Sequence, residues 1–123
     1  NGDPKLKELE QYVGATSLNL LNEWGYDMEQ YKMFFTEFWV QEFSKNGGGH
    51  HSTHVHWDNH ISGFYFLKCS DKTSMPVMHD PRAGAMMTKL PQKDGNKISP
   101  MSDQIHFKPK PGMFVFFPAY VPH

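Results

Sequence analysis

One cysteine, Cys69, rules out an internal disulfide, and a lone thiol fits a reducing compartment. Arginine is almost missing. Arg82 stands alone, the other basic residues are scattered lysines, and the formal net charge is −1. That balance leaves no basic footprint for a nucleic acid. No apolar run approaches the roughly 20 residues that cross a bilayer, and no signal-peptide pattern opens the chain. We therefore expect neither a nucleic-acid nor a membrane partner, and a cytoplasmic location. Internal repeats and low-complexity stretches are absent too. The 123 residues amount to one domain, long enough to bury a core without staples.

Aromatics are plentiful. They make up 15% of the chain, ten of them phenylalanine, which suits a β-rich core. Asp3-Pro4 reads as a helix start, with Asp as N-cap and Pro at the first helical position. Leu6, Leu9, Val13, Leu21 and Trp24 share one helical face. Gly14 and the Ser17/Asn19 region weaken the middle and suggest two helices, and Gly25 is a stop. A further helical turn is expected over Asp27 to Lys32.

From Met33 the period changes. "MFFTEFWVQEFS" sets apolar groups on both faces of an extended chain, as in a strand covered on both sides. "HSTHVH", "ISGFYFLK", a stretch around Val77, "QIHFK" and "MFVFFP" read as further short strands, with Gly63 marking a close backbone approach. The polar stretch from Pro91 to Asp103 is a loop. The expectation is a single, mainly β domain. A helical flank covers 1–32, and a β-sandwich or barrel covers 33–123.

Five of the eight histidines fall between His50 and His60. Neutral imidazole is the commonest protein ligand for a transition metal. Alternate residues of a strand point to one face, so His54 and His56 aim their rings together. Asp58 continues the series if the chain stays extended, and His56-Trp57-Asp58 is then an H-x-D pair. Two histidines and a carboxylate with open positions are the usual face for non-haem Fe(II). A third ligand is at hand in "GMFVFFPAYVPH". His123 follows an apolar strand and a turn stiffened by Pro118 and Pro122. His50, His51 and His60 read as surface or supporting residues, and His79 and His106 as structural. The dispersed methionines read as core filler.

These motifs carry a resemblance. "HVHWDNHISGFYFL", "HDPR" at 79–82 and "KPKPGMFVFFPAYVPH" at 108–123 occur in the order found in the 2-oxoglutarate- and Fe(II)-dependent oxygenase superfamily. The likeness is to its bacterial and phage members, and it runs from about Phe34 to His123. It implies a double-stranded β-helix, a jelly-roll of two packed sheets with iron at the open end. It also implies 2-oxoglutarate as co-substrate, and hydroxylation of a C–H bond in a small-molecule or protein substrate. The cupin signature, of the same architecture, is similar as well. Gly48, five residues and His54-Val55-His56 match its first motif, with His60 at a place permitted to the acidic residue. Gly112, five residues, Pro118 and His123 match its second, with Tyr120 where glycine is usual.

Both patterns nominate His123. The H-x-H likeness implies His54, His56 and His123 as ligands, and the regular superfamily pattern implies His56, Asp58 and His123. Phe64, Phe66 and Phe116 are pocket lining or core. Tyr65 is a candidate hydrogen-bond partner for a co-substrate carboxylate. In the family a basic residue beyond the last histidine grips the far carboxylate of 2-oxoglutarate. Arg82 is the only arginine for that role, and its other reading is a loop-anchoring ion pair. Asn1 in place of Met, and an end at His123, lead us to expect a chain cut from a longer one. Two further readings share the motifs: a non-catalytic jelly-roll of virion type, and a cupin-like metalloprotein that does not use 2-oxoglutarate.

Overall fold

A computed structural model describes residues 2–123. The chain divides after Val40 into two compact units.

The first unit is built on one helix, α1 (Pro4–Glu23). Asp3 caps it, its side chain accepting the Lys5 N–H at 2.8 Å, and Pro4 occupies a position whose N–H would have no helical partner. At the far end Gly25 takes a φ of +94°. Its N–H donates to Asn22 O at 3.0 Å, and the Tyr26 N–H donates to Leu21 O at 3.1 Å. This pair of bonds is a Schellman closure, which needs a residue that tolerates the left-handed region. The expected division into two helices is corrected. Gly14 costs an interior helix position about 1 kcal/mol, which a 20-residue helix closed at both ends absorbs. Ser17 and Leu21 form its buried stripe.

No strand forms over 33–44, and no helix over Asp27 to Lys32. Phe34 and Val40 are 80% and 74% exposed. An apolar alternation makes a strand only when a neighbouring edge takes up its backbone groups. Here both sheets have two strands, and neither includes this segment.

The second unit holds two antiparallel pairs. β1 (Ile61–Tyr65) pairs with β4 (Phe114–Pro118), and β2 (Val77–His79) pairs with β3 (Gln104–His106). All four lie in stretches read from the sequence as short strands. In the first pair Gly63 lies opposite Phe116, and a Cβ there would sit 2.6 Å from the Val115 carbonyl oxygen. The close approach expected at Gly63 is real. Phe117, Ala119, Met78 and Pro109 are buried in this unit. A short helix, α2 (Ala83–Met87), was not foreseen. The loop before β3 is tied down by Arg82, which donates to Pro100 O at 2.6 Å, and by a Lys89–Asp103 ion pair. Among the described residues the sheets do not close into a barrel. No helix among the described residues is long and apolar enough to cross a membrane.

Candidate metal centre

The centre is assembled by the chain that leaves β4. Ala119 is fully buried. Its N–H donates to His60 O at 3.2 Å, and its carbonyl accepts the His56 N–H at 3.0 Å. The Val121 N–H closes a turn onto Pro118 O at 2.9 Å. Beyond the turn, His54 and His123 exchange two backbone hydrogen bonds, both 3.1 Å. Pro122 O accepts the His79 N–H at 2.8 Å on the other flank. The expected strand "HSTHVH" is thus reduced to these isolated pairings. They suffice to hold the two histidine segments side by side.

Three imidazoles converge as a result. One ring nitrogen from each of His54, His56 and His123 lies within 4.8 Å of the others. Ring centroids are 4.5 Å apart for His54–His123, 5.1 Å for His54–His56 and 5.2 Å for His56–His123. Imidazoles sharing one metal at about 2.1 Å have centroids roughly 4.5–5.2 Å apart for bond angles of about 90–110°. The observed spacings fall in that range.

Hydrogen bonding sets the tautomers. His54 Nδ1 lies 2.8 Å from Ser52 O, and His123 Nδ1 lies 2.9 Å from Val121 O. A carbonyl only accepts, so each Nδ1 carries the hydrogen and each neutral ring keeps its Nε2 lone pair. His123 Nε2 is buried with no hydrogen-bond partner. A buried acceptor left unmatched is costly in a folded chain, and a metal ion relieves it. Burial lowers the His123 pKa below the ordinary histidine value. The bond to Val121 opposes this, and neighbouring His54, His56 and His51 add to it. Phe117 and Phe64 close over the His123 ring at centroid distances of 4.6 and 5.5 Å. The donor set, its tautomers and its apolar wall all suit a divalent transition metal.

The other candidates each have a setting of their own. Asp58 has a φ of +59°, a left-handed conformation that ends the extended run. The two-residue alternation stops there, and Asp58 is not in the converging group. Arg82 is held by Asp80, which accepts from its Nε at 2.9 Å and its Nη2 at 2.8 Å. The guanidinium lowers the Asp80 pKa, chiefly through the side-chain hydrogen bond. The loop-anchoring reading of Arg82 therefore describes what it does here. Tyr65 follows Phe64 on β1, so its ring takes the opposite face and stacks on Phe114 at 4.3 Å. Sequence reasoning left out one neighbour, His51, whose ring lies 6.0 Å from that of His54. A spacing of three residues fits no strand alternation, so no pattern pointed to it.

A family model described as "Putative 2OG-Fe(II) oxygenase" matches residues 37–123, well over half of the chain, and the protein belongs to that family. Searches of curated proteins and of solved structures find no match.

Proposed function

We propose that the protein is an Fe(II)- and 2-oxoglutarate-dependent oxygenase whose metal is held by His54, His56 and His123. The observation that carries this is the unpartnered, buried His123 Nε2 facing two further imidazoles, in a chain of this family. When bound, iron and 2-oxoglutarate together supply oxidative decarboxylation coupled to C–H hydroxylation. The chain's own residues prepare that chemistry. Ser52 O and Val121 O fix the tautomers of His54 and His123. The reciprocal backbone pair sets the distance between them. Phe64 and Phe117 keep water from one side of the His123 ring, which preserves its neutral, ligating form. Family membership further supports a jelly-roll core over 33–123 with a helical flank over 1–32. The lone thiol supports work in the cytoplasm.

The test is anaerobic Fe(II) titration followed by succinate release from 2-oxoglutarate. One bound Fe(II) and succinate formation are expected, both lost in His123→Ala. Iron binding without succinate would favour the cupin-like metalloprotein. No binding of Fe(II) would favour the non-catalytic jelly-roll.

A further inference from the structure

The imidazole group has a fourth histidine beside it, His51, carried by a segment that is tied down. The His51 ring centroid lies 6.0 Å from that of His54, at an interplanar angle of 37°. That is only about 1 Å beyond the spacing expected of rings on a common metal. Two contacts fasten the segment that carries it. Ser74 Oγ donates to Gly49 O at 2.7 Å, a link spanning 25 residues. The Phe43 side chain lies so close to Gly49 that a Cβ there would fall 2.3 Å from Phe43 Cδ1. The same ring meets His51 edge-on, at 5.6 Å and 87°. The His51 side chain itself is exposed, so its ring can change rotamer while its tether stays put.

We propose that His51 is a displaceable fourth metal ligand. It joins His54, His56 and His123 on a divalent ion when no chelating anion is present, and it yields to one that arrives. This rests on the metal reading above. Three imidazoles on one face leave coordination positions open. The converging group contains no carboxylate, so its donors leave the ion's full double charge uncompensated. A neutral fourth imidazole fills a position without changing that charge. A chelating keto acid brings the missing negative charge, and it wins the position by electrostatics.

Cobalt(II) titration of the protein, read by visible absorption, tests this. The wild type is expected to show the intense bands of four-coordinate Co(II), which collapse when 2-oxoglutarate is added. In His51→Ala a water takes the vacated position, so its Co(II) bands should differ from the wild type in position and intensity. The affinity of this variant should fall by more than the roughly 10–100-fold that loss of an outer-shell partner costs. His50→Ala, one residue away, should behave as wild type. His51→Gln keeps a side chain of similar size and should match His51→Ala. Far-UV circular dichroism of both variants checks that they fold. Identical spectra and affinities in wild type and the His51 variants would overturn the proposal. The metal reading would still stand if His123→Ala abolished binding. Absence of Co(II) binding by the wild type would overturn both.

Discussion

Gly63 has no room for a side chain. An added Cβ would press on the Val115 carbonyl oxygen of the paired strand, and backbone cannot step aside as a flexible side chain can. Gly63→Ala should therefore cost about 1–3 kcal/mol, read as a lowered urea midpoint with an unchanged slope. Asp80 is a second residue with a defined consequence. Its folded pKa is lowered, so its pairing with Arg82 stabilises the fold fully above the unfolded value of about 3.9. That contribution is lost as pH falls from there through the depressed folded pKa. Thermal melts from pH 6 down to about pH 2 should show this loss in wild type, and Arg82→Ala should lack that part of it. The histidine pair at 54 and 56 was legible because alternation on an extended chain needs no knowledge of the rest of the fold. Asp58 was read from the same spacing, and it stands outside the converging group. Its positive φ is invisible in residue spacing, and one left-handed residue is enough to end the alternation.

At the scale of elements, what could be read was what is decided locally. The ends of α1 are set by Asp3, Pro4 and Gly25, each acting within a turn of itself. Asp3→Ala should cost about 1 kcal/mol of helix stability. Gly25→Ala should cost a similar amount, about 1 kcal/mol, because it forces a Cβ into the left-handed region. Both effects can be followed by circular dichroism at 222 nm through a urea series. The segment over 33–44 went the other way. It sets Phe34, Phe38 and Val40 on one side against Phe35, Trp39 and Phe43 on the other, and it reads as a strand just as the apolar run of β4 does. β4 finds an edge in β1, and this segment joins neither sheet. Partnership between strands is a property of distant residues, and no local pattern encodes it. α2 escaped notice because five small and flexible residues, AGAMM, carry no period.

At the scale of the whole molecule, the buried apolar residues are few among the described residues: Leu21, Met78, Pro109, Phe117 and Ala119. A modest core makes bound ligands count for more. A divalent metal at 100 times its dissociation constant would add about 2.7 kcal/mol to the folded state. Melting temperature should therefore rise with added Co(II) or Fe(II), and the rise should vanish in His123→Ala. The family match extends from residue 37 to the last histidine, so the resemblance read from three motifs and the match agree on the same stretch. The convergence of His123 with His54 could be suspected from the proline-bracketed turn. The backbone bonds that achieve it could not, because they join positions 54 and 123 across most of the chain.

His54 and His123 share a small device. Each ring is aimed by the carbonyl two positions upstream, Ser52 for one and Val121 for the other. The orienting group is main chain, so the identity of residues 52 and 121 carries no information about where the imidazoles point. The intervening residues, Thr53 and Pro122, govern the aim through their torsions. A tripeptide ending in histidine thus works as a self-contained pointer, used twice at one address, and substitution at its first position should leave the compass reading unchanged.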